Sequence, residues 1–338
     1  MTPEEWRRLS VEERNRFRAD KHRRRQAERE ANRLAREQEE SRRLAENPET
    51  PVEAARRRSW KEVKSGVLFN RDLRPLDIAS LYKDATCFVV SCGPSLAKLD
   101  LSLLAKTRGV LTCGINNSPT VYRPNLWVFG DPPYKFHDSI WCDPAILKFV
   151  PLSFMSSKPL RRKNPDGSFS WMESRTGGQV FPQDMPGVIG YRRSGRLDAE
   201  TFLTEDSVSF GRNEEWAARE KTWHVNNTFF SVIKILYAVG VRHVYLLGCD
   251  FSMRLEQPYV FGQSKGISGV RSNNRAYSRM NQWFTGARSE FEARGLVIEN
   301  CSPESSLTAF DYVDYRVALS RVVCAQDPLD ASGWYSLE

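Results

Sequence analysis

An open, mostly parallel α/β sheet with helices on both faces, preceded by a charged helical arm, is the fold class this sequence predicts. Three observations predict it. Six short runs rich in β-branched and aromatic residues recur between positions 87 and 299. Stretches with helical spacing of apolar residues separate several of them. The runs end in turns that carry Gly, Asn or Asp, which is the rhythm of βα units.

The size and balance of the chain agree with one large domain plus an appendage. Of 338 residues, 40% are apolar and 11% aromatic, enough for a sizeable core and too many for a disordered or collagen-like chain. The net charge of +8 splits evenly: residues 1–58 carry 17 Lys+Arg and 13 Asp+Glu, residues 59–338 carry 33 and 29. Three segments are expected: an arm and linker at 1–58, the α/β domain at 59–325 and a tail at 326–338.

Residues 4–46 hold good helix formers and Glu/Arg pairs at helical spacing, such as Glu30–Arg33 and Glu39–Arg43. No apolar a/d stripe runs for three heptads, so the arm reads as a solvated helix, not a coiled coil. Its basic cluster Lys21-His22-Arg23-Arg24-Arg25 makes partner or nucleic-acid contact through residues 1–46 the alternative to a plain tether. Residues 47–83 read as a linker with one or two short helices.

The runs are Cys87–Ser91, Gly109–Cys113, Leu126–Gly130, Phe149–Phe154, His243–Gly248 and Leu296–Glu299. Helical periodicity covers Leu101–Lys106, Asn226–Val239 and Arg275–Arg294, with Asn226 or Asn227 as N-cap of the second. Residues 156–222 break the pattern with Gly, Pro, Ser and Arg, and read as an irregular insertion, a lid with short strands.

The seven cysteines are odd in number and scattered, with neither CxxC nor zinc spacing. A reduced, cytoplasmic chain is the expectation. The start lacks an apolar signal core and no stretch approaches a membrane span.

Chemistry is expected at the carboxyl ends of the strands, where open α/β sheets bind ligands. The first run ends in Cys92-Gly93-Pro94-Ser95-Leu96, the second in Gly114-Ile115-Asn116-Asn117, the third in Gly130-Asp131, the fifth in Gly248-Cys249-Asp250-Phe251 and the last in Asn300-Cys301-Ser302. Each Asn or Asp alone reads as a helix cap or Asx-turn; together they read as one cleft. The first turn matches neither a P-loop nor GxGxxG. Of the four histidines, His22 belongs to the arm and His243 opens a strand. His137 and His224 lie near predicted cleft edges, where each is either catalytic or packed in a loop.

The turn Cys92–Leu96, then Asn116/Asn117, then Val241–Phe251, and finally Asn300–Ser302 with Ser306-Leu307, resemble the bacterial sialyltransferases that act on lipooligosaccharide. They also resemble the wider motility-accessory-factor and pterin-diphosphokinase-like group. The resemblance covers ordered islands over about 85–310. It implies a Rossmann-like, metal-independent nucleotide-sugar site. Gly93, Pro94 and Ser95 would lie along the phosphate or ribose, Asn116, Asn117 and Asp131 beside the sugar and leaving group, and Thr228 at a helix N-terminus, with Gly248, Asp250 and Ser302 completing the nucleotide pocket. Two features depart from that family. Asn227-Thr228-Phe229 stands where the sialyltransferases have a Thr-Ser-Gly-like turn, and no histidine follows His243; Tyr277 lies near the expected place of the catalytic one.

The leading expectation is a glycosyltransferase with a nucleotide-sugar donor, no other cofactor and an unassigned acceptor. Asp131, Tyr277, His137 and His224 are its candidate acids and bases, with Asp250 as a further carboxylate. The alternatives are a Mg²⁺-dependent diphosphokinase acting on a pterin-like molecule, with Asp131 or Asp250 holding the ion, and a nucleic-acid-associated protein using the basic arm.

Overall fold

The apolar runs become strands of one nine-stranded sheet, and the helices between them cover both of its faces. The computed structural model describes residues 66–324 except 108, 157, 175–176, 195–197, 206–207 and 210–226, together with arm positions 13, 20, 27, 30, 31, 34 and 38, all helical. The chain divides into two compact units, Met1–Arg58 and Ser59–Glu338. The tail at 326–338 lies outside the described residues.

In chain order, β1 (Leu68–Phe69) is followed by β2 (Thr86–Val90), α1 (Leu101–Lys106), β3 (Leu111–Ile115) and β4 (Leu126–Val128). Then come α2 (Asp138–Cys142), β5 (Leu147–Pro151), α3 (Leu152–Met155) and the hairpin β6 (Arg161–Lys163) and β7 (Phe169–Trp171). The strand β8 (Val188–Tyr191) precedes the short pair β9 (Arg193–Ser194) and β10 (Val208–Ser209). The chain continues through α4 (Thr228–Ala238), β11 (His243–Leu247), α5 (Ile267–Ala293), β12 (Val297–Asn300), β13 (Asp311–Tyr312) and α6 (Tyr315–Cys324).

The sheet order is β1-β8-β5-β4-β3-β2-β11-β12-β13. Every neighbouring pair is parallel except β1 with β8. From β2 the chain steps one way through β3, β4 and β5; from β11 it steps the other way to β12 and β13. The reversal falls between β2 and β11, whose register aligns Cys87 with Val244 and Val90 with Leu247. This is a doubly wound, Rossmann-like sheet, and its switch point opens a crevice beyond the carboxyl ends of these two strands.

Strand alternation sorts the core. Cys87, Val89, Val244 and Leu246 face one layer with Phe230 of α4 and Phe284 of α5. Phe88, Val90, Tyr245 and Leu247 face the other with Leu104 of α1 and Leu319 of α6. Both faces being covered explains why these strands read as unbroken apolar runs. Farther along the sheet, Trp127, Phe129 and Trp141 pack with Phe136 in mutually edge-on and stacked pairs.

Residues 66–83 hold β1 and turns, with Asn70 Oδ1 accepting the N–H groups of Asp72 and Arg74; residues 47–65, the rest of the segment expected to be a linker with one or two short helices, lie outside the described residues. One expectation is corrected. The segment 156–222 is not merely an excursion from the sheet. It holds the hairpin β6–β7, and its β8 is paired between β5 and β1. Lys148, fully buried in β5, anchors that strand by donating from Nζ to the carbonyls of Asp143, Ile146 and Pro186 at 2.6, 2.9 and 2.8 Å. The Pro186 carbonyl lies just before β8, so the lysine ties the segment to the sheet.

Candidate functional site

A cavity of about 810 Å³ opens at the switch point. Its walls are the turns after β2, β3, β4 and β11, the N-terminus of α4, the segment before α5 and one side of α5 itself. The size suits a nucleotide-sized ligand.

The turns after β2 and β11 are clamped together. Gly93 N–H donates to Gly248 O at 2.9 Å, and a Cβ on Gly93 would stand 2.4 Å from that oxygen and 2.6 Å from Asp250 Cγ. Glycine is required here by close approach. Ser95 donates its backbone N–H to one oxygen of Asp250 and its hydroxyl to the other. The Ser95 hydroxyl also lies 3.0 Å from Ser302 Oγ, which draws in the turn after β12. Ser91 N–H goes to Leu247 O and Leu96 N–H to Gly93 O. The donors expected to cradle a phosphate are therefore largely spent within the protein. Pro94, Ser95 and Ser302 are not among the residues that line the cavity; Gly93, Gly248 and Asp250 are.

Asn116 sits at the hub of the other wall. Its backbone takes a left-handed φ of 49°, and its Oδ1 accepts from Gly130 N–H at 3.2 Å and from Thr228 Oγ1 at 3.4 Å. One side chain thus links the ends of β3 and β4 with the start of α4, and keeps its amide nitrogen to offer. Asn117 lines the cavity beside it and donates to Gln263 Oε1 at 3.4 Å. Asn227 caps α4, accepting from Phe229 N–H, so Asn227, Thr228 and Phe229 bring a helix N-terminus and its partial positive charge to the cavity wall. Phe251, a bulky residue at φ 49°, also lines the cavity and packs on Tyr277 with ring centroids 5.2 Å apart. Two of the four non-glycine residues with positive φ among the described residues thus face this one space, the kind of strain that gathers at functional sites.

Asp131 lines the cavity and pairs with Lys135 at 3.0 Å, both half-exposed. The turn that carries it is held from β8 and β9: Tyr191 Oη donates to Phe129 O at 2.8 Å, and Arg193 donates to Gly130 O at 2.8 Å while standing over the Tyr191 and Phe154 rings. Tyr277 also lines the cavity, and burial pushes its phenol well above the ordinary tyrosine range. It keeps its proton at neutral pH. Burial likewise pushes the Cys92 thiol up to about 12, which removes it as a nucleophile.

His137 does not line the cavity. It caps α2, with Nδ1 accepting from Ser139 N–H at 3.2 Å and lying 3.3 Å from Asp138. His224 lies outside the described residues. Asp250, offered as a base from the sequence, has both oxygens engaged by Ser95.

Several lining residues carry no motif that sequence reasoning could have flagged. Lys135, Arg161, Arg193 and Lys265 supply cations against the two carboxylates Asp131 and Asp250, counted among the described residues. Tyr259 and Phe261 stack 5.5 Å apart and nearly parallel, a flat apolar wall. The run Pro258-Tyr259-Val260-Phe261 was a visible aromatic signal, though nothing in it marked a site.

Among the described residues, no group of three or more His, Cys, Asp or Glu is placed to hold a metal ion. Nor is any helix long and apolar enough to cross a membrane. No protein-family model, curated protein or solved structure matches the chain.

Proposed function

We propose that this protein is a glycosyltransferase-like enzyme that binds a nucleotide sugar in the switch-point cavity and transfers the sugar to an acceptor hydroxyl without a metal ion. The observation that carries the reading is the cavity itself: four cationic side chains, two carboxylates already engaged by their own neighbours, and a planar aromatic wall, all at the switch point. An anionic ligand with a flat base complements such a lining.

In the transfer step the acceptor oxygen forms a bond to the anomeric carbon as the bond from that carbon to the phosphate oxygen breaks. The bonding pair leaves on the phosphate. The acceptor's proton passes to Asp131, the lining carboxylate with the fewest prior commitments, since Asp250 is held by Ser95. Tyr277, protonated, and the lining cations stabilise the charge that grows on the phosphate. Asn116 orients the sugar through its amide nitrogen.

The diphosphokinase alternative requires carboxylates to hold Mg²⁺. Asp250 is engaged by Ser95 and Asp131 by Lys135, which favours the metal-free reading over this one. Thermal-shift screening with CMP-, UDP- and GDP-sugars tests the proposal. Stabilisation by one nucleotide class, unchanged by EDTA, is expected. Mg²⁺-dependent AMP release from ATP in place of it would hand the site to the kinase reading.

A further inference from the structure

The hairpin β6–β7 stands against the cavity and has no part in the donor site beyond Arg161. Its register pairs Arg161 with Trp171 and Lys163 with Phe169, while Arg162 pairs with Ser170. Because strand residues alternate in direction, Arg161, Lys163, Phe169 and Trp171 share one face. That face alternates cation and ring across the two strands.

The rings are open to solvent: Phe169 is 54% exposed and Trp171 48%, and they are the exposed Phe and Trp among the described residues. Arg161 lies over both Tyr134 and Phe169, 5.1 and 4.5 Å from their centroids, and donates to Tyr134 O. Tyr134 in turn meets Trp171 edge-on. Arg161 also lines the cavity, so the face and the cavity are continuous. On the opposite face Arg162 pairs with Asp138, and Asp166 is used by Ser168 to close the hairpin turn. Lys163 has no acidic partner among the described residues. The hairpin is rooted in the body by the buried Leu160 and Met172.

Two open rings set between cations on one face favour a ligand with both flat faces and negative charge. Single-stranded nucleic acid has both: bases stack on aromatic side chains while phosphates meet Arg and Lys. A neutral glycan would use the rings and leave the cations without purpose. We propose that the outer face of the β6–β7 hairpin binds single-stranded nucleic acid. Resting on the transfer reading above, that strand is the acceptor: one of its hydroxyls enters the cavity past Arg161, its oxygen bonds the anomeric carbon, and its proton goes to Asp131 as the nucleotide leaves.

The test is fluorescence anisotropy of the full chain with labelled twelve-residue oligo-dT and oligo-U, at rising salt. Wild type should bind, with affinity falling as salt rises. The double variant Phe169→Ala/Trp171→Ala should bind about tenfold more weakly or worse. Phe169→Tyr/Trp171→Tyr should restore binding, which a merely structural role for the rings would not predict once thermal midpoints match. Lys163→Glu, which leaves both rings, should weaken binding about threefold or more.

No binding by wild type, or equal binding by wild type and the Ala double variant at equal folding, overturns the proposal. So does an acidic oligosaccharide such as a heparin hexamer binding through these residues while the oligonucleotides do not. The nucleotide-sugar thermal shift is read on the same variants and should survive in all of them. Its absence from wild type would remove the acceptor role while leaving the strand-binding face established by anisotropy.

Discussion

Gly93 and Asp250 show how much of the site is decided by single residues that a ligand need not touch. A methyl group on Gly93 would collide with backbone and a clamped carboxylate, neither of which yields easily. Gly93→Ala should therefore cost about 1–3 kcal/mol, read as a lower thermal midpoint. Asp131→Asn should leave nucleotide-sugar binding within a few-fold and reduce transfer by about 10²–10⁴, read as a fall in kcat with little change in KM. Tyr277 gives no acidic limb to the pH profile, because its proton stays on throughout the neutral range. Tyr315, raised by burial to about 12 from 10.0, provides a stability test. Its folded pKa lies above the unfolded one, so its contribution is complete below pH 10 and is lost as pH rises from 10 towards 12. Tyr315→Phe should flatten the fall in stability over that window, followed by circular dichroism. The residue types at the strand ends were legible in the sequence. Their division of labour was not: Ser95 and Asp250 both read as ligand groups, and only three-dimensional proximity reveals that they satisfy each other.

Among the elements, the strands with unbroken apolar runs were readable because both of their faces are covered. The short ones were not. β8, with the sequence Val-Ile-Gly-Tyr, lies amid Gly and Pro and has only four residues, yet β5 captures it along its whole length. The signal that could have marked it was Lys148, a lysine inside an apolar run, whose ammonium needs acceptors. Lys148→Ala should leave the Ile146 and Pro186 carbonyls without their donor and open a void, lowering stability by about 2 kcal/mol or more, measured by urea denaturation. It should also loosen Asp131, since Tyr191 and Arg193 support the Asp131 turn from the same segment. Helix α5 begins at Ile267, eight residues before the periodicity predicts. Ser272, Asn273 and Asn274 are weak helix formers, but Asn274 holds Met253 with both ends of its amide, and that tertiary bond outweighs the local preference.

At the scale of the molecule, the sheet order explains why turns from residues 92, 116, 131 and 250 converge. Strands that diverge from a common centre leave one gap in the layer of crossovers, and the ligand site occupies it. The order of elements suggested such a sheet, and the polar strand ends suggested one cleft. The cationic half of the lining came from Lys135, Arg161, Arg193 and Lys265, which no local pattern distinguishes from surface charge. Net charge alone could not say whether a basic chain prefers a nucleotide, a nucleic acid or neither. The most direct measurement is calorimetric titration of the full chain with CMP-, UDP- and GDP-sugars, repeated on Asn116→Ala. Saturable binding of one class, insensitive to EDTA and weakened about tenfold by the substitution, is the predicted result. No heat with any nucleotide sugar, or binding indifferent to Asn116, would contradict it.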